Sequence, residues 1–271
     1  MQSTRVGGVE LSYELLGAGD PLVLVHGGLA DHYSWQAVAP ALAESFRVLV
    51  YDRRGHSRSE RVPGPCPRRA HEDDLAALLE TLGMAPAHAA GNSYGGSTIL
   101  GLAARRPELF RGVVAHEPPL MGTVGDEDGE LGELVGHARE GIAAAVELMR
   151  AGRVEEGTRH FLEDVALGPG AWAGIPDRVR EAMLANAPTF VAEQLDRRWA
   201  DLDTAALAAA YDGPLMLTYG TRSPAWLPAL ARRLAGSLPG ARLKAYEGAG
   251  HIPQVTHPAE YVTRLTAFAS S

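Results

Sequence analysis

Ser93 stands between two glycines in Gly91-Asn92-Ser93-Tyr94-Gly95, a spacing that suits a serine hydroxyl lifted out of the chain to act as a nucleophile. The short apolar run at residues 87–90 reads as a strand, and residues 98–106 have helical composition. The serine therefore falls where a strand turns sharply into a helix. Such a turn strains the serine backbone and leaves no room for side chains two positions away; Gly91, Gly95 and Gly96 meet that demand. It also sets the hydroxyl at a helix N-terminus, where free N–H groups and the helix dipole favour developing negative charge. The chemistry implied is acyl transfer. A chain with 31 glycines produces Gly-x-Ser-x-Gly by chance readily, so the flanking strand and helix carry the inference.

A nucleophilic serine needs a base to take its proton. Among ten histidines, His251 follows a strand pattern at residues 241–246 and the turn Gly248-Ala249-Gly250, which puts it last in chain order and just past a strand end. His257 precedes Pro258 at a helix start, where a capping role accounts for it.

These residues need a scaffold. With 271 residues and 46% hydrophobic composition, the chain can bury one sizeable core, or a core plus a modest inserted subdomain. A net charge of −8 without long blocks of like charge argues against a nucleic-acid partner. The first eight residues lack a basic-then-apolar signal pattern, and no apolar run is long enough to cross a bilayer, so a cytoplasmic protein without membrane contact is expected. Cys66 is the only cysteine, which excludes an intrachain disulfide and a cysteine-based metal site; it reads as an incidental thiol. With no His-Glu-x-x-His, phosphate-binding lysine loop or dinucleotide fingerprint, neither a metal nor an organic cofactor is expected.

Strand-like and helical stretches alternate through the first half, the pattern of a mostly parallel sheet covered on both faces. Strands are read at residues 9–15, 22–25, 47–51, 87–90 and 112–116, with helices at 35–43, 69–82 and 98–106. From 119 to 207 only helical patterns appear, at 129–149, 154–165, 177–187 and 189–200, broken by Gly168-Pro169-Gly170 and by Pro188. Alternation then resumes with strands at 214–219 and 241–246 and helices at 225–238 and 258–269. The division is a core of 1–118 and 208–271, interrupted by a helical cap or lid at 119–207.

Ser93 in its turn, His26-Gly27-Gly28 after one strand, Asp52-Arg53-Arg54-Gly55-His56-Ser57 after the next, and Gly250-His251 near the end together resemble the α/β-hydrolase superfamily. The resemblance covers essentially all of the chain outside 119–207. It implies an α/β-hydrolase fold with a mostly parallel eight-stranded sheet, helices on both faces and an inserted helical lid. By position it also implies an oxyanion hole from the backbone N–H groups of Gly28 and Tyr94, donors worth about 3 to 4 kcal/mol each in a transition state. His26 and His56 fall in motifs that are usually structural in the family. Asp52, Arg53 and Arg54 read as a turn, with Asp52 bonding local amides.

Most members of the superfamily carry an aspartate shortly after the strand at 214–219, but here that stretch is Gly220-Thr221-Arg222-Ser223. Ser223 is neutral, and Asp212 precedes the strand and so belongs to the opposite sheet edge. Glu117, in His116-Glu117-Pro118-Pro119, follows the preceding core strand at the carboxyl edge where ligands bind. This placement resembles the zearalenone lactonase subgroup, whose Ser-His-Glu triad implies Glu117 as the acid. Otherwise Glu117 is a carboxylate exposed at a strand end. Asn186-Ala187-Pro188-Thr189-Phe190 resembles a lid segment where that subgroup uses tryptophan to contact substrate, which nominates Phe190. Trp35, Tyr94, Trp172, Met183 and Ile252 are further candidates for the pocket wall or for ordinary core.

The expectation is a serine hydrolase acting on a small hydrophobic ester or lactone, macrolactones included, with Ser93, His251 and Glu117 as its triad. It is compatible with a homodimer. A carbon–carbon bond hydrolase of ring-cleavage products and a catalytically idle ligand-binding fold are the alternatives.

Overall fold

Residues 22–25, apolar without alternation, run through the middle of an eight-stranded sheet and are covered on both sides, as such a run requires. The computed structural model describes residues 1–270. Its strands are β1 (Gln2–Val6), β2 (Val9–Leu16), β3 (Asp20–Val25), β4 (Phe46–Tyr51), β5 (Ala87–Asn92), β6 (Phe110–His116), β7 (Leu215–Gly220) and β8 (Arg242–Tyr246). They lie in the order β1-β2-β4-β3-β5-β6-β7-β8. β2 is antiparallel to both β1 and β4, and every other pair is parallel.

Alternate residues of β3 feed two separate cores. Val23 and Val25 pack with α2 (Arg68–Thr81), α3 (Tyr94–Ala103) and α8 (Trp226–Ser237), whereas Leu22 and Leu24 pack with α1 (Ala39–Leu42) and α10 (Pro258–Ala269). Between β6 and β7, residues 119–207 supply α4 (Glu130–Arg150), α5 (Val154–His160), α6 (Asp177–Gln194) and α7 (Thr204–Ala210), with no strand among the described residues. A short α9 (Pro253–Thr256) follows His251.

Three local expectations needed correction. β1 has no apolar alternation because it is an edge strand, exposed along most of its length and defined by its pairing with β2. The helix expected at 35–43 is only a tight turn at His32–Trp35 followed by the single turn of α1, whose start lacks a side-chain cap. α6 runs unbroken through Pro188, because tertiary contacts outweigh the missing N–H. Asn186, Thr189, Phe190 and Glu193, spaced i, i+3, i+4, i+7, are all buried on one face, and Arg61 Nη2 donates to the Ala185 carbonyl beside the proline at 2.8 Å.

The link from β5 to α3 shows why glycine is required. Ser93 has φ 53° and ψ −123°, outside the comfortable regions for an L-residue. A Cβ on Gly95 would lie 2.1 Å from the Val25 carbonyl oxygen, and one on Gly91 would lie 2.6 Å from the backbone of Gly95. Gly95→Ala should therefore force backbone apart and lower Tm by at least several degrees; overpacking typically costs about 1–3 kcal/mol. Gly136→Ala, on α4 with open space around it, should leave Tm unchanged or raise it slightly. Thermal melts followed by circular dichroism check the pair, and equal effects at the two sites would contradict this account of the turn.

Candidate active site

Ser93 follows β5 and immediately precedes α3, and its own N–H donates to the His116 carbonyl at the end of β6 (2.8 Å). The strained residue is thus pinned to the neighbouring strand. Its predecessor, Asn92, is buried and donates from Nδ2 to the backbone carbonyl of His251 at 2.8 Å. One side chain of the turn therefore fixes the loop that carries the histidine.

His251 and Glu117 meet. Glu117 Oε2 lies 2.6 Å from His251 Nδ1, and its other oxygen accepts the Gly220 N–H at 2.8 Å. Glu117 is itself left-handed, with φ 43°, and its N–H donates to the Thr218 carbonyl, so the chain leaves β6 in a fixed direction. Burial alone would raise the Glu117 carboxyl; His116 and His251 beside it outweigh that and hold it well below the usual carboxylate range. It is a buried anion. His116, pushed down by burial, bonds Thr218 Oγ1 through Nδ1 at 2.9 Å. A Cβ on Gly220 would sit 2.5 Å from the Ala249 and Gly250 carbonyl oxygens, so glycine there lets the histidine loop approach β7.

The rejected carboxylates lie elsewhere. Asp52 accepts the His32 N–H (2.9 Å), His32 Nδ1 (2.6 Å) and the Arg58 N–H (3.2 Å), the local turn role expected of it. Asp212 lies in the loop before β7, beside Gly240 at the opposite end of the sheet. His257 closes α9 and opens α10, accepting the Tyr261 N–H at its carbonyl.

Arg53 has a larger role than a turn residue. Its side chain is fully buried; Nε donates to His26 O (3.1 Å), Nη2 to Gly27 O (3.1 Å) and Nη1 to Glu193 Oε1 of α6 (2.6 Å). Burial opposes charge on both, but Arg53 holds Glu193 down at about 2, so the pair is ionised. His71 Nε2 lies 3.1 Å from the same Glu193 oxygen and 3.2 Å from Cys66 Sγ; burial pushes the Cys66 thiol up to about 12, which keeps it protonated. Arg54 instead pairs with Asp74 of α2 through two contacts of 2.6 Å. Asn92, Arg53 and Glu193 were not singled out as functional from sequence. A polar side chain on a helical face was the only trace, in Glu193.

Gly27, Gly28, Ser93 and His251 share a mainly apolar cavity of about 350 Å³, also lined by Leu162, Ile175 and Met183 of the helical segment 119–207. Ile252 also lines it, as expected. The wall does not include Trp35, Trp172, Phe190 or the Tyr94 ring. Trp35 points to the opposite face of the sheet, in the core beside Tyr261. Trp172 is buried in the cap against the Arg180 guanidinium. Phe190 packs on Phe161 and lies 3.3 Å from where a Gly28 Cβ would be, so it backs the loop. The Tyr94 ring turns away between His71 and Trp199. Only its backbone, at the first residue of α3, stays at the turn. A second cavity of about 390 Å³, between α2, α3 and residues 196–206, is lined largely by charged side chains and contains none of these groups.

The model of the α/β hydrolase fold family matches residues 20–258. The chain is 28% identical to the putative carbamate hydrolase RutD of Caulobacter vibrioides, over 99% of this chain and 98% of that protein. Its structure is similar to the esterase RhEst1 from Rhodococcus sp., with TM-score 0.79 and 25% identity over 99% and 98% of the two chains. It is also similar to the enol-lactonase of Burkholderia xenovorans, with TM-score 0.72 and 25% identity over 100% of both.

The histidines around Arg53 give the fold an acid sensitivity. Burial, reinforced by Arg53, lowers His56 to about 3, His71 to about 4 and His26 well below its usual value. The unfolded chain takes up protons near 6.5 that the folded chain refuses until far lower pH. Stability therefore falls as pH drops across that interval, by about 1.4 kcal/mol per pH unit for each such group, and levels off below it once both states are protonated. The urea midpoint should drop clearly between about pH 7 and about pH 5. An unchanged midpoint would show that these rings are not held neutral.

Proposed function

The chain belongs to the α/β-hydrolase family, and we propose that it is a serine hydrolase cleaving a carboxylic ester or lactone through an acyl-enzyme. The observation that carries this reading is the 2.6 Å contact between buried, ionised Glu117 and His251 Nδ1, in a cavity that His251 shares with strained Ser93. Glu117 accepts the Nδ1 proton, which leaves Nε2 as the ring nitrogen able to accept one. His251 takes the Ser93 hydroxyl proton as Oγ attacks the acyl carbon, and Glu117 stabilises the imidazolium that forms. The backbone N–H groups of Gly28 and Tyr94 hold the oxyanion. His251 then protonates the leaving alcohol oxygen, and a water activated by the same ring hydrolyses the acyl-serine.

The apolar cavity fits a hydrophobic acyl or alcohol moiety, and the likeness to an esterase and an enol-lactonase supports oxygen esters, open or cyclic. The placement of Glu117 resembles that in the zearalenone lactonase subgroup, which keeps macrolactones within the proposed class. Phe190, set behind Gly28, supports the loop and leaves substrate contact to Met183 and Ile252.

Ser93→Ala should abolish turnover of aryl and aliphatic esters and labelling by a fluorophosphonate, with the fold intact. The loss should approach about 10⁵–10⁶-fold in kcat. Glu117→Gln should cost about 10⁴-fold, because a neutral amide neither stabilises imidazolium nor selects its tautomer. His251→Ala should match Ser93→Ala, and His257→Ala should stay near wild type. Substantial ester turnover by folded Ser93→Ala would overturn the serine mechanism. Full activity of Glu117→Gln would overturn the assignment of the acid.

A further inference from the structure

From the geometry of Arg53 we infer that Arg53 and Glu193 are positioning residues that aim the Gly28 N–H into the cavity, so that the cap helix α6 helps assemble the oxyanion hole. The inference deepens the proposed function and rests on it. A trans peptide is planar, so the Gly27 C=O and the Gly28 N–H belong to one rigid unit and point in opposite directions. Whatever holds the carbonyl aims the N–H. Arg53 Nη2 holds that carbonyl at 3.1 Å, and Arg53 Nε holds the preceding one, of His26, at 3.1 Å.

His26 completes the arrangement. Its Nε2 accepts the Arg53 backbone N–H at 2.9 Å, so the proton sits on Nδ1, which donates to the same Gly27 oxygen at 2.9 Å. Two donors on the buried side thus leave the Gly28 N–H directed toward the side on which Gly27 and Gly28 line the cavity. The Arg53 guanidinium also lies 4.7 Å from the centroid of the Tyr94 ring, so the residue that supplies the second N–H packs against the same cation.

Glu193 fixes the guanidinium from the other side. Its oxygen binds Nη1 at 2.6 Å with both side chains fully buried, and a cation taken wholly out of water needs such a counter-charge. The same face of α6 brings Phe190 against Gly28 and Asn186 Nδ2 to the carbonyls of Leu29 and Ala30, each at 3.1 Å. Cap and oxyanion loop are therefore one packed unit.

The test uses Arg53→Lys, whose compact ammonium lacks the planar fork that spans two carbonyls on one side and a carboxylate on the other, and Glu193→Gln, which keeps shape but removes the counter-charge. Thr189→Val, on the same docked face, loses only the bond to the Gly55 carbonyl and serves as the comparison. The full-length proteins are assayed with an aryl ester and titrated with phenylboronic acid, whose serine adduct places an oxygen in the oxyanion hole. Arg53→Lys and Glu193→Gln should lose about 10- to 100-fold in kcat with KM changed less than about threefold, and boronate affinity should fall in parallel. Thr189→Val should stay within about threefold on every measure. Folded variants with wild-type kcat and boronate affinity, or losses matched by Thr189→Val, overturn the proposal. If neither charged-pair variant folds, Glu193→Asp, which keeps the counter-charge and shortens its reach to Arg53, decides: parallel losses of kcat and boronate affinity support the proposal, and wild-type values overturn it. Ser93→Ala, run in parallel, separates failure of this inference from failure of the hydrolase reading.

Discussion

The closest backbone approach at the site is that of α3 to the end of β3, where Gly95 sits against the Val25 and His26 carbonyls with no space for a methyl group. Everything else at the site depends on that contact. It carries Ser93 beside Gly27, whose Cβ position would lie 3.2 Å from the Ser93 Cβ, and so brings the serine that follows β5 next to the loop that follows β3. It also requires the unfavourable backbone angles at Ser93, which the bond from its N–H to His116 and the packing of β5 between β3 and β6 keep in place. A looser junction would relax the serine and separate it from the loop in one motion.

Charge deep in the fold is handled by the same economy of contacts. Glu117 and Glu193 are both buried and both held as anions by neighbours, one by histidines at the sheet edge and one by Arg53 beneath the cap. Removing either Arg53 or Glu193 alone leaves an uncompensated buried charge, at a cost of about 3–5 kcal/mol.

What could be read from sequence followed the range of the signal. Ser93, with its glycines, is a five-residue pattern, and His251 follows a strand and a glycine turn, so both are written locally. Glu117 emerged because the usual position after β7 holds Ser223, and the 2.6 Å bond to His251 is the geometry that this placement implied. Seven strands of a mostly parallel sheet were legible from the pattern of apolar runs and the eighth only from the family resemblance, since pairing rather than composition makes β1 a strand. Arg53 and Glu193 lie 140 residues apart, and neither carries a local mark of burial. Pro188 misled for a related reason: a helix docked along its whole face continues where an isolated one would stop. Trp35 and Trp172 lie off the cavity wall because hydrophobicity identifies a buried residue without saying which of several interiors it faces, whereas Phe190 was nominated by its place in the segment 186–190 and sits beside Gly28 instead.

Glu117 is followed at once by Pro118, Pro119 and the helical segment that covers the cavity, so the carboxylate and the root of the cap occupy one continuous stretch of chain. With an acid placed after β7, an insertion after β6 is a separable cassette, free to be lengthened, shortened or exchanged by recombination. Here its near junction falls within a residue or two of the charge that holds His251. A displacement of the chain at Pro118 or Pro119 is therefore felt at the Glu117 carboxylate and, through it, at His251, whereas changes within α4 to α7 leave that junction in place.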